Sequence, residues 1–279
     1  MAPPVRLIRT LCLLALATCP LWVGIPAGRA QEPSQRSESA APDRATLPAV
    51  DPDPAPSGYG RTVQFAGHDW RVKTALELVG PGPNYFSDSP DYVWVDDVGR
   101  LHLKTMPGAD GRWYCAELSS IQSFGYGTYQ WVVDGQVDAL DPNVVVGFFT
   151  WSDDPDQNHR EIDVELARFG RPDAPGARYT VQPYTAPGHV WTFQPTHASF
   201  TSHAFQWGPS SVAFRTWLGS ATAPPSDSSV LAERIFTDHI PQAGGEQARI
   251  NLWLDAGHPP TNGRPVEIVV RAFQFWPPA

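Results

Sequence analysis

The sequence predicts an all-β fold, a sandwich or jelly roll of two packed sheets. Three observations carry this. Short runs rich in β-branched and aromatic residues alternate with clusters of Gly, Pro, Asn and Asp. No stretch keeps the 3.6-residue apolar period of an amphipathic helix over a convincing length. No internal repeat divides the chain, so about a dozen strands with regular turn signals form two packed sheets, one of them curved with its open face as a cleft.

The ends come first. Residues 1–30 have the pattern of a secretory signal: Arg6 and Arg9, an apolar run over 11–25, then Gly28 and Ala30 as small residues before a cleavage at Gln31. The apolar run is short for a membrane span and Pro20 interrupts it. Leu16-Ala17-Thr18-Cys19 partly matches a lipoprotein cleavage box, but Thr18 fits poorly and the apolar run continues past Cys19. Residues 31–57 are rich in Pro, Ala, Ser, Asp and Glu and nearly lack large apolar side chains. Such a segment cannot bury enough surface to offset its ordering entropy, and it reads as a disordered linker. Residues 58–279 then form one domain.

Of three cysteines, Cys12 and Cys19 fall in the signal and Cys115 stands alone. No internal disulfide is possible, so a sizeable core must carry stability, with Cys115 as a small buried hydrophobe. Cleaving the signal removes three arginines and takes the net charge from −9 to about −12. That charge argues against nucleic acid and anionic membranes as partners and suits a neutral substrate.

Within the domain, 61–65 reads as a first strand, and 92–95 with 101–104 as a hairpin around Asp96-Asp97-Val98-Gly99. Runs 117–123 and 127–133 follow. The run 144–151 is almost wholly apolar, as for a strand covered on both faces. Then come 161–166, 179–182, 202–207, 212–218, 230–236, 249–254 and 266–275.

The run Glu161-Ile162-Asp163-Val164-Glu165-Leu166 has period two. As a strand it buries Ile162, Val164 and Leu166 and lines up three carboxylates on the other face. Like charges in a row repel and desolvate badly, so the row does nothing for stability. Glycosidic cleavage does require two carboxylates flanking a sugar bond. The bland alternative is the polar face of an exposed strand, and so short a motif does not decide alone.

A sugar cleft also needs flat aromatic faces and amides. Trp253 and Asn251 share the open face of 249–254, with Arg249. Gln182 and Tyr184 share one face if their strand runs through Pro183. His159 has the parity of the acids and sits either at the cleft rim or in a turn after Asp153-Asp154-Pro155-Asp156-Gln157-Asn158. Trp151 is either core or platform. Trp70, Trp94 and Trp207 read as core. No Ser-His-Asp or Cys-His elbow signature is visible.

Several elements together resemble glycoside hydrolase family 16, the lichenase, laminarinase and xyloglucan transglycosylase group. Glu161-Ile162-Asp163-Val164-Glu165 matches its E-[ILV]-D-x-E centre. Ala116-Glu117-Leu118 and Phe124-Gly125-Tyr126-Gly127-Thr128-Tyr129 are similar to its G-E-[LV]-R-S and [FY]-x-Y-G-x-[FY]-E elements. Val181-Gln182, His203-Ala204-Phe205-Gln206-Trp207 and Asn251-Leu252-Trp253 are similar to V-Q-x-N, H-x-[FY]-x-[FIL]-x-W and N-[LI]-W. The resemblance implies a concanavalin A-like β-jelly-roll sandwich with a concave substrate cleft. It implies a retaining endo-glycosidase of a β-linked polysaccharide, a β-1,3 or β-1,3-1,4 glucan above all, with Glu161 as nucleophile, Glu165 as general acid/base and Asp163 tuning both. Glu117 falls in a matched element. The alternatives are a transglycosylase using the same site and a non-catalytic carbohydrate-binding protein on the same fold.

The departures lie around the acids. Arg160 stands where lichenases have Asp, which sets a cation beside the nucleophile. Ser119 replaces an Arg, Gln130 a Glu, and Pro183-Tyr184 the downstream Asn region; Gly257-His258-Pro259-Pro260 stands where a later Trp-Gly is usual. No catalytic metal is expected from the spacing of the eight histidines. A structural Ca²⁺ occurs in parts of the family, and Asp153-Asp154-Pro155-Asp156 offers a loop for one, although short acidic loops are usually just solvated. The expected partner is a polysaccharide, and the expected form a secreted monomer.

Overall fold

The alternating pattern becomes seventeen strands among residues 58–223 and 226–278, the part of the chain that the computed structural model describes. They are β1 (Tyr59–Phe65), β2 (His68–Lys73), β3 (Ala75–Val79), β4 (Asn84–Phe86), β5 (Val93–Val95), β6 (Leu101–Pro107), β7 (Trp113–Ser123), β8 (Gly127–Asp134) and β9 (Val144–Trp151). Then follow β10 (Ile162–Ala167), β11 (Ala177–Val181), β12 (Val190–Phe193), β13 (Phe200–Gly208), β14 (Ser211–Leu218), β15 (Val230–Phe236), β16 (Gln247–Leu254) and β17 (Val266–Trp276). The expected signal and linker lie outside the described residues.

The strands pair into two antiparallel runs. One runs β1-β2-β7-β16-β9-β10-β11-β12. The other runs β5-β6-β17-β8-β13-β14-β15. The long β7 also pairs with β6 through Met106 and Tyr114, which joins the two runs, and β4 lies parallel beside it.

Between the runs the inward faces meet. Trp131 of β8 stacks on Phe148 of β9 at 5.6 Å, and Trp70 of β2 meets Phe273 of β17 edge-on at 5.2 Å. Tyr179 of β11 stacks on Phe214 of β14 at 4.7 Å, and its hydroxyl donates to Thr216 Oγ1 at 2.6 Å. Each buried aromatic of this kind contributes about 1.5–3 kcal/mol through burial. The two-sheet jelly-roll sandwich anticipated from the pattern is the observed architecture.

The differences are local. β2, β3, β4 and β12 were not expected. Short strands with charged outward residues, such as His68-Asp69-Trp70-Arg71-Val72-Lys73, give little apolar signal until a neighbour supplies the pairing. Trp70 and Trp207 are core, as read, whereas Trp94 is half-buried and stacks on His102 at 4.6 Å. Cys115 is buried and free, and burial pushes its thiol up to about 12, which leaves it unreactive. His203 is fully enclosed between Thr201 Oγ1 at 2.9 Å and Thr216 Oγ1 at 3.1 Å, and burial lowers its pKa to about 3.

Candidate active site

The cleft forms on the face of the first sheet that points away from the core. Register puts its residues in rows across the strands. Ser119, Arg249, Phe149, Asp163 and Thr180 lie in one row of β7, β16, β9, β10 and β11. Glu117, Asn251, Gly147, Glu165 and Arg178 lie in the next. β9 is buried along its whole length, as anticipated, because its core side packs on the second sheet and its other side lies under the cleft residues. Gly147 sits between Asn251 and Glu165, and a Cβ there would meet Asn251 Oδ1 at 2.5 Å. A bare backbone at this point lets the amide lie across the sheet.

A cavity of about 390 Å³ opens on this face. It brings together Glu161, Asp163 and Glu165 with Glu117, Trp151, His159, Gln182, Tyr184, Asn251 and Trp253, all the positions that the sequence singles out. β11 ends at Val181, so Gln182 and Tyr184 reach the cleft from the following loop rather than from a strand. There the Tyr184 backbone N–H donates to Gln182 Oε1 at 2.7 Å, which leaves the Gln182 amide nitrogen to donate to Asp163 Oδ2 at 3.3 Å. Trp151 is buried at the cleft wall, where the His159 ring stacks on it at 4.0 Å and 8°. His159 Nδ1 also lies 2.9 Å from the Ser152 carbonyl. The turn that carries His159 is unusual. Gln157, Asn158, His159 and Arg160 have φ of 58°, 52°, 60° and 55°. Four successive left-handed residues are costly for L-amino acids, and such strain collects at functional sites.

Two groups of contacts hold the acids. Asp163 is buried and within hydrogen-bonding reach of Glu161. Two carboxyls can share such a bond only if one keeps its proton. Burial raises Glu161 to about 8, with the Glu165 charge adding to it, while the bond from Asp163 and the cations Arg249 and Arg178 pull the other way. Burial also raises Asp163, and the Glu161 and Glu165 charges push it further. Both carboxyls are thus pushed towards the protonated form, and the bond between them keeps the proton on Asp163 once Glu161 ionises. Glu165 instead faces a cation: Arg178 Nε lies 2.5 Å from Glu165 Oε2, and the guanidinium lies 3.9 Å over the Phe169 ring. Burial works against the Arg178 charge, but Glu165, Asp163 and Glu161 outweigh it and raise its pKa.

Beneath the acids, Glu117 is buried and anchors the floor. Arg249 Nη1 donates to its Oε1 at 3.3 Å, Asn251 Nδ2 to its Oε2 at 3.5 Å, and Lys73 Nζ lies 3.5 Å away. Tyr59 joins this cluster through Ser119, and burial raises its pKa to about 12. Glu117 thus orders the floor more than it meets solvent.

Sequence reasoning missed Arg178 and Arg249 as site residues, and parity held the signal for both. Arg178 shares the face of Gln182, and Arg249 that of Asn251. Arg249 pairs directly with Ser119, so the cation absent from β7 is supplied from β16. The expectation that Arg160 sets a cation beside Glu161 is corrected. Its Nη1 turns back to the Asp156 carbonyl at 3.1 Å and Asp154 Oδ2 at 3.5 Å, and the cations that act on Glu161 are Arg249 and Arg178. The acidic loop is likewise occupied by arginines: Arg249 Nη2 donates to Asp153 Oδ1 at 3.1 Å.

No protein-family model matches the chain, and no curated protein matches it by sequence. Solved structures do match. A Bacillus licheniformis β-glucanase is 18% identical with a TM-score of 0.55, over 77% of this chain and 98% of that one. A β-1,3-glucanase from Mycobacterium marinum is 18% identical with a TM-score of 0.54, over 74% and 90%. A Mycobacterium tuberculosis protein described as an immunostimulatory antigen and pseudo β-1,3-glucanase is 18% identical with a TM-score of 0.53, over 75% and 91%. At such identities the likeness is one of fold. The chain has the β-jelly-roll fold of these β-glucanases.

Proposed function

We propose that this protein is a secreted glycoside hydrolase that cleaves a β-linked glucan, β-1,3 or β-1,3-1,4, with retention at the anomeric carbon. The observation that carries the reading is the convergence of Glu161, Asp163 and Glu165 in one cavity with aromatic platforms and amides. A Glu161 carboxylate oxygen attacks the anomeric carbon as the bond to the leaving sugar oxygen breaks. Glu165, as acid, gives that oxygen its proton. Glu165, now a base, then takes a proton from water. The water oxygen attacks the same carbon, and Glu161 is released. Asp163 keeps its own proton and donates to Glu161, which steadies the nucleophile. Trp253 and the His159 ring stacked on Trp151 offer flat faces to sugar rings, and Gln182 and Asn251 offer amides to hydroxyls.

In the free protein Glu165 is held by Arg178, so it must exchange that cation for a proton when sugar fills the cleft. The same ion pair favours a second reading, a carbohydrate-binding protein whose acid is clamped. Release of reducing ends from a panel of β-glucans, galactans and xyloglucan separates the two. Cleavage of a glucan that is lost in Glu161→Gln supports hydrolysis, and product lengths then distinguish water from a sugar as acceptor. Binding without cleavage, with cleavage appearing in Arg178→Met, supports the clamp.

A further inference from the structure

Outside the cleft, two loops bring together three metal-ligating side chains. His189 precedes β12, and Asp238 and His239 follow β15. One ligand atom from each lies within 4.8 Å of the others. We propose that His189, Asp238 and His239 form a binding site for a divalent transition metal, Zn²⁺ in the first place, that fastens the loop after β11 to the loop after β15.

Three observations carry this. His189 is buried, and its Nδ1 lies 2.8 Å from the Val181 carbonyl. A carbonyl can only accept, so Nδ1 carries the proton and Nε2 holds a lone pair. That is the tautomer and backing bond of a metal-ligating histidine. Second, Nε2 is buried with no hydrogen-bond partner among the described residues. A buried acceptor without a partner costs roughly 1–3 kcal/mol, and a metal removes that cost. Third, His239 adopts φ 48°, a strained value for a residue with a side chain, and this conformation holds its ring 5.4 Å from the His189 ring.

The donor set selects the ion. Two imidazoles and one carboxylate suit Zn²⁺ and its neighbours better than Ca²⁺ or Mg²⁺, which take oxygen ligands. Zinc–ligand bonds are about 2.0–2.2 Å, so ligand atoms around it sit roughly 3.3 Å apart. Asp238 and His239 are exposed, and His239 Nδ1 already lies 3.0 Å from Asp238 Oδ1, so side-chain rotation at the surface can close that gap. Water would fill the fourth position. Sequence spacing hides the site, because His189 and His239 come from distant parts of the chain and meet only through the fold.

The metal would reach the cleft by position alone. Val181, which backs His189, is followed by Gln182, the donor to Asp163. The loop after β15 continues to Gln242, whose N–H donates to Gln157 Oε1 at 3.3 Å, beside the strained turn. Fastening the two loops holds both ends of that rim.

The test is titration of the full chain, freed of metal by chelation, with ZnCl₂ by calorimetry. Co²⁺ absorption reports the coordination. We expect one Zn²⁺ per chain, an intense visible Co²⁺ band of tetrahedral type, and at least a tenfold loss of affinity in His239→Ala. That residue is exposed, so the variant should keep its fold, which circular dichroism would verify. Absence of stoichiometric Zn²⁺ binding, or binding unchanged in both His239→Ala and His189→Gln, would overturn the proposal. The readout is binding, so it stands apart from any activity on polysaccharide.

Discussion

Arg178 and Glu165 face each other across the β10–β11 pair, Nε to Oε2 at 2.5 Å. The same cleft holds Glu161 and Asp163, both pushed towards their protonated forms by burial. One cation thus balances the far carboxylate while proton uptake neutralises the near pair. Arg178→Met leaves Glu165 beside two other carboxyls with no counter-ion. The variant should lose about 3 kcal/mol of stability at pH 7, the usual scale for breaking a largely buried pair. The loss should shrink at pH 4, where carboxyls take up protons. Urea unfolding at both pH values checks this, and an equal loss at both would deny the ion pair its part.

Glu161 makes stability fall on the alkaline side. Its folded pKa of about 8 lies above the ordinary 4.5. The stabilising protonated form is fully present below about pH 4.5 and is lost as pH rises through 8. Glu161→Gln removes the share of that loss that belongs to Glu161 and leaves the share of Asp163. The variant should therefore gain on the wild type by about 2–4 kcal/mol between pH 4.5 and 8.5, after a discount for the cleft exposure of the side chain. Thermal unfolding across that range is the measurement.

His203 acts on the acid side. Its folded pKa of about 3 lies below the ordinary 6.5, so the unfolded chain binds the proton first. Stability is fully present above about pH 6.5 and is lost as pH falls toward 3. His203→Asn should unfold with a flatter acid limb, whatever its offset at pH 7. A limb as steep as that of the wild type would mean that other groups set it.

Much of this was legible in the sequence, for a physical reason. Period two along 161–166 and 249–254 assigns faces, and a strand in a sandwich has only two, core and open. Ile162, Val164 and Leu166 went inward and the acids outward because burial leaves no alternative. Which strands become neighbours is not local information. The pairing of β16 with β7 sets Arg249 across from Ser119, and no window of sequence contains both. The same holds for Arg178, whose meaning depends on its register with Glu165. Arg160 misled for a related reason. Proximity in sequence to Glu161 suggested an electrostatic role, but strand alternation and the left-handed turn send its side chain to the loop.

Gly147 offers a test of the cleft floor that touches no carboxylate. Gly147→Ala sets a methyl 2.5 Å from the position of Asn251 Oδ1 and must displace that amide. Stability should fall by about 1–3 kcal/mol, as overpacking usually costs. Affinity for a glucan oligosaccharide should fall about tenfold, measured by calorimetry, with the fold unchanged by circular dichroism. Unchanged affinity would place the sugar elsewhere.

Covalent trapping identifies the nucleophile. A 2-deoxy-2-fluoro β-glucan oligosaccharide with an activated leaving group slows release of the intermediate, and peptide mass spectrometry locates the sugar. One glycosyl group per chain is expected, on the peptide that contains Glu161 and absent in Glu161→Gln. A label on Glu165, or an unlabelled protein that nevertheless binds the oligosaccharide in this cleft, would rule out Glu161 as the nucleophile.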